Sequence, residues 1–130
     1  MEKDFDLWNA KKKELDVNKR CLFFKEGEVW WCAIGVNIGE EMFGKGADFR
    51  RPVLIFKRIN KNSCIVLPIT SKEHLGSWYY PILVQGEARW IMLSQIRFIS
   101  ANRLTVCQYA LPPEEYAGFK RSLRKFLGFF

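Results

Sequence analysis

Apolar residues change their spacing twice along this chain. Residues 4 to 17 set Phe5, Trp8 and Leu15 near one face and Lys11 to Lys13 on another, the spacing of a short amphipathic helix. From Cys21 onward the period is that of strands: Cys21 to Phe24, Glu28 to Val36, Pro52 to Ile59, Ser63 to Ile69, Trp78 to Val84, Arg89 to Leu93 and Ile96 to Ile99. Turn residues at Lys25-Glu26-Gly27, Asn60-Lys61-Asn62 and Gln85-Gly86-Glu87 separate these runs and predict short meander connections. Short strands with tight turns predict a small, strongly bent antiparallel sheet or barrel, because an open flat sheet leaves long unpaired edges. Helical spacing returns at the end. The prolines and acids of Leu111-Pro112-Pro113-Glu114-Glu115 suit a first turn, and Lys120, Arg121, Arg124 and Lys125 suit a last one. Tyr116, Phe119, Leu123, Phe126 and Leu127 form its apolar stripe, which reads as core or dimer packing rather than a platform for bases.

The chain has 130 residues and is 48% hydrophobic, which suits one compact unit: an N-terminal helical extension over residues 1–20 joined to a domain over 21–130. No apolar run approaches the roughly 20 residues of a membrane span, and Met1-Glu2-Lys3-Asp4 lacks the order of a signal peptide, so a cytoplasmic protein without membrane partners is expected. Net charge is +7, concentrated at Lys11 to Lys13, Arg50-Arg51, Lys57-Arg58 and Lys120 to Lys125, and favours an anionic partner. A solvated basic face explains any one of these clusters equally well. Cys21, Cys32, Cys64 and Cys107 lie in apolar stretches with no C-x-x-C pair, so they read as core thiols, and neither a metal nor a cofactor is expected. His74, the single histidine, falls in a polar segment and reads as a surface loop residue; a two-histidine acid–base mechanism is excluded.

Two strand ends carry the candidate chemistry. Arg51 stands directly before Pro52-Val53-Leu54-Ile55-Phe56, and Thr70 and Ser71 close Val66-Leu67-Pro68-Ile69. A guanidinium with five donors in a rigid fork and two hydroxyls at the rim of a buried strand make a plausible phosphate site. Between the strands, residues 37 to 49 hold three glycines, and a connection of that length reads as a mobile flap over a groove. Gly44-Lys45-Gly46 within it is not a P-loop, since the G-x-x-x-x-G-K-[ST] spacing is absent. Trp30 and Trp31 are adjacent in a strand, so one points inward and the other outward; packing is the simpler role for the outward one, base stacking the alternative.

Six segments in order resemble one family. Gly27-Glu28-Val29-Trp30-Trp31, Asn37-Ile38-Gly39-Glu40-Glu41, Arg51-Pro52-Val53-Leu54-Ile55, Pro68-Ile69-Thr70-Ser71, Ser94-Gln95-Ile96-Arg97 and Arg103-Leu104 are similar to the MazF/PemK toxins of type II toxin–antitoxin systems, over about residues 22 to 128. The resemblance implies a mainly β fold with α, a small SH3-like antiparallel β-barrel with a C-terminal helix, here with an extra N-terminal helix. It also implies a homodimer, endoribonuclease activity on single-stranded RNA, and inhibition by an acidic antitoxin whose tail fills the groove. Arg51 and Thr70 match the family's catalytic arginine and threonine. Glu41 is a candidate base on the flap; Ser71, Gln95, Arg97, Arg50 and Lys45 are candidate substrate contacts. For Arg97 an ion pair that pins the strand end is the alternative. Ser94 and Met92 depart from the branch that uses an Arg/Asp pair there, so catalysis is expected through Arg51 and Thr70. A non-catalytic toxin, or a nucleic-acid or topoisomerase-binding protein on the same barrel, is the competing reading; non-nuclease relatives lack that pair.

Overall fold

The computed structural model describes residues 4–17, 23–35 and 50–128. Asp4 accepts the Leu7 N–H at 2.9 Å and so caps α1, Phe5–Val17. Trp8 and Leu15 of this helix are buried against Ala33. Phe5, expected on the same face, is 51% exposed, because the docking patch is narrow and the first turn lies beyond it.

Seven strands follow: β1 Glu28–Ala33, β2 Arg50–Asn60, β3 Ser63–Thr70, β4 Tyr79–Val84, β5 Glu87–Met92, β6 Arg97–Ser100 and β7 Leu104–Ala110, before the closing helix α2, Pro113–Leu127. All pairings are antiparallel. The order is β4-β5-β3-β2-β1-β7, with β6 also on β3. The expected barrel is not closed among the described residues. β3 pairs β6 through its first half, then leaves the β2 ladder after Pro68 and pairs β5 at Ile69 and Thr70. A proline has no N–H to give the ladder, so Pro68 is a natural place for the strand to change partners. β4 and β7 remain as the two ends of an open, bent sheet.

Three differences from the sequence pattern have local causes. Cys21, Leu22 and Val36 lie outside the described residues, and Phe23 and Phe24 are irregular rather than a strand, with Phe24 wholly buried. β7 has no counterpart in the sequence pattern, since two register shifts against β1 break its alternation. Cys107 sits on that bulged strand and is exposed, contrary to the expectation of a core thiol. Cys32 and Cys64 are buried as expected, and burial pushes both thiols up to about 12. His74 is in the β3–β4 loop, half-buried and stacked on Tyr79 at 4.1 Å.

The apolar runs of β1, β2 and β3 are continuous because both faces of these strands are covered. One face carries Trp30, Cys32, Val53, Ile55 and Val66. The other carries Val29, Leu54, Leu67 and Ile69 beneath Phe119 and Leu123 of α2. No described helix is long and apolar enough to cross a membrane.

Candidate active site

β2 enters the sheet at Arg50, paired with Ala33, and continues as Arg51 opposite Cys32 and Pro52 opposite Trp31. On its other side Val53 pairs with Pro68. The β2–β3 ladder ends at that pair; two residues beyond it lie Arg51 on β2 and Thr70 on β3, and Thr70 pairs with Trp90 of β5 instead. Arg51 and Thr70 are 9% and 7% exposed, so both polar groups are held close to the core at the rim of the sheet. Burial lowers the pKa of the Arg51 guanidinium from its ordinary value. The Thr70 Oγ1 accepts the Lys72 N–H at 3.2 Å, turning the chain outward and leaving the hydroxyl proton available as a donor.

A cleft of about 460 Å³ opens beside this pair, bordered by Arg50, Arg51, Trp31, Ser71, Arg89 and Gln108 over a floor of Val29, Ile69 and Val84. Neighbours in a strand face opposite ways, so Arg50 and Arg51 diverge, and Arg50 lies over the Trp31 ring at 5.3 Å. Trp30 is the inward tryptophan and Trp31 the outward one. Of the expected contacts, the cleft brings together Arg50, Arg51 and Ser71; Thr70 stands one residue from its wall.

Gln95 and Arg97 lie elsewhere on the rim. Gln95 ends the 3₁₀ turn Leu93–Gln95, and Arg97 opens β6 opposite Val66, on the face that also holds Cys32. Among the described residues Arg97 makes no ion pair of the kind that would pin the strand end. Its neighbour is another cation: burial, then the charge of Arg97, lowers the pKa of Arg103. Glu41 and Lys45, with the rest of the 37–49 segment, lie outside the described residues.

Two cleft residues are absent from the sequence-based candidates. Arg89 occupies a position on β5 in phase with buried Ile91, so a charged residue at an inward position of the alternation is its signal; it is paired with Glu87 at 2.6 Å. Gln108 lies on the bulged strand β7, where no periodic signal exists. Among the described residues no group of three or more His, Cys, Asp or Glu gathers as a metal site.

A sequence model of the PemK-like, MazF-like toxins of type II toxin–antitoxin systems matches residues 25–127. Solved structures share the fold. MazF from Deinococcus radiodurans superposes with a TM-score of 0.65 at 18% identity, covering 79% of this chain and 94% of the other. Mycobacterium tuberculosis toxin MazF-mt6 gives 0.60 at 14%, covering 79% and 98%. An endoribonuclease in complex with its cognate antitoxin from a mycobacterial species gives 0.61 at 13%, covering 79% and 93%. No curated protein sequence matches significantly.

Proposed function

The chain belongs to the PemK-like, MazF-like toxin family of type II toxin–antitoxin systems, and we propose from that premise that it is a metal-independent, sequence-preferring endoribonuclease of single-stranded RNA. The observation that supports the reading is the near-buried position of Arg51 and Thr70 just past the end of the β2–β3 ladder, beside an arginine-lined cleft. The ribose 2′-hydroxyl attacks the adjacent phosphorus, and the bond to the 5′-oxygen breaks, leaving a 2′,3′-cyclic phosphate and a 5′-hydroxyl. Negative charge builds on the phosphate oxygens during that step, and a fixed guanidinium stabilises it through charge-assisted hydrogen bonds.

Arg51 is therefore assigned to charge stabilisation. A guanidinium resists deprotonation, so no base role is assigned to Arg51, although burial lowers its pKa. Thr70 and Ser71 hold the phosphate or relay a proton, Glu41 is the proposed base, and Arg50, Gln95, Arg97 and Lys45 are proposed substrate contacts. A homodimer and an acidic antitoxin that competes for the groove complete the reading; a complexed family neighbour and the +7 charge support the latter.

Arg51→Ala is expected to cost about 3 to 4 kcal/mol in the chemical barrier, the scale for losing one preorganised charge stabiliser. RNA affinity should fall much less. Single-turnover rates at saturating enzyme separate the two; loss of binding with an unchanged rate per bound complex makes Arg51 an anchor and overturns the assignment.

A further inference from the structure

We propose that the cleft between α1 and the 3₁₀ turn Ala101–Arg103 is a second phosphate site, gripping the backbone of single-stranded RNA beyond the candidate active site. The inference rests on the nuclease reading above. The cleft encloses about 350 Å³ and is bordered by Lys12, Lys13, Leu15, Ser100, Asn102 and Arg103. Two of its three cations come from α1, which lies outside the matched segment 25–127.

The walls are fixed by contacts on both sides. The Asn102 side-chain amide donates to the Leu15 carbonyl at 3.1 Å. Arg103 Nη1 donates to the carbonyls of Ala33 and Ile34 at 3.1 and 3.3 Å, and its guanidinium lies over Trp8 at 5.4 Å. Among the described residues neither Lys12 nor Lys13 has a carboxylate within ion-pair range, whereas Lys11 reaches Glu14 at 3.9 Å.

A further cation lies near the cleft. Arg103 is neighboured by Arg97, both bear electrostatically on Cys32, and Cys32 faces Arg51 across the β1–β2 pairing. Arg97 thus adds a fourth cation beside the three that border the cleft. Flexible lysines with a small hydroxyl and an amide suit phosphates rather than bases, and the nearby Trp8 is too buried to stack, so the contact is indifferent to sequence. An acidic peptide would feel the same charge, but the proposed nuclease reading of the same chain favours RNA.

The test uses a long 2′-O-methylated single strand, which cannot be cut, titrated against wild type, K12Q/K13Q and a K120Q/K125Q control over a range of salt. K12Q/K13Q should reduce the magnitude of the log–log salt slope by roughly 0.7 for each phosphate no longer neutralised, alike for unrelated sequences. The control should keep the wild-type slope. An unchanged slope in K12Q/K13Q, an equal fall in the control, or, with a polyglutamate peptide titrated alongside, a loss of affinity confined to that peptide overturns the site. Cleavage of the unmodified strand by wild type, run in parallel, judges the nuclease reading separately: cutting with an unchanged slope removes only the second site, and a reduced slope without cutting removes only the nuclease.

Discussion

The Tyr116 hydroxyl donates to the Phe56 carbonyl at 2.7 Å, tying α2 to β2. Burial, and secondarily Glu26, pushes its pKa up to about 12 from an ordinary 10.0. A raised value means the fold favours the neutral phenol, so the stability it contributes is complete below pH 10 and drains away towards pH 12. Tyr116→Phe should cost about 1 kcal/mol at neutral pH, the scale of one hydrogen bond, and should flatten the alkaline fall in the denaturant midpoint over that window. The buried thiols of Cys32 and Cys64 obey the same sign, with stability whole below 9.0 and lost towards about 12. Since the thiolate is the reactive form, a thiol reagent on the native protein should label Cys107 before Cys32 or Cys64, read by peptide mapping. The near-buried rim positions of Arg51 and Thr70 are legible from sequence because each residue abuts a continuous apolar run. Cys107 is not, because alternation fails on a bulged strand, and an apolar neighbourhood in sequence then says nothing about which way a side chain faces.

At the scale of elements, strands buried on both faces carry the clearest signal and the bulged edge strand none. The sequence limits of β2 and β3 fall within two residues of their observed ends. The change of partner at Pro68 is not legible, because a proline inside an apolar run shows where a ladder can break but not which strand takes over. The α1 helix is legible in its extent, yet its seat depends on a residue far along the chain. Gly35 has φ +89°, and a Cβ placed there would run into the Trp8 ring. Gly35→Ala should therefore unseat α1 both by backbone strain and by steric conflict, at a cost of about 1 to 3 kcal/mol. Limited proteolysis is the readout, with cleavage between α1 and β1 appearing well before loss of the sheet; equal protease resistance of the two proteins would show that α1 docks without Trp8.

At the scale of the molecule, the expectation of a closed barrel comes from the need to hide strand edges, which is sound physics but incomplete. The edges are managed otherwise: β4 carries Pro81 and β7 is bulged, both of which discourage pairing with another chain. Folding gathers part of the +7 charge, Arg50, Arg51 and Arg89 at one cleft and Arg103, Lys12 and Lys13 at another, with Arg97 acting on Arg103. That gathering is not legible in the sequence, since β6, the 3₁₀ turn after it and α1 meet only through tertiary contacts. The proposed role of Arg51 and Thr70 is to promote attack of a 2′-hydroxyl on the neighbouring phosphate. Its most direct measurement is incubation of purified wild type, Arg51→Ala and Thr70→Ala with long single-stranded RNA in EDTA, with chemical mapping of the new ends. Wild type is expected to leave 5′-hydroxyl and 2′,3′-cyclic phosphate ends, and Arg51→Ala to be slower by roughly a hundredfold or more. Intact RNA with wild type, or the same ends at the same rate from Arg51→Ala, would contradict that role.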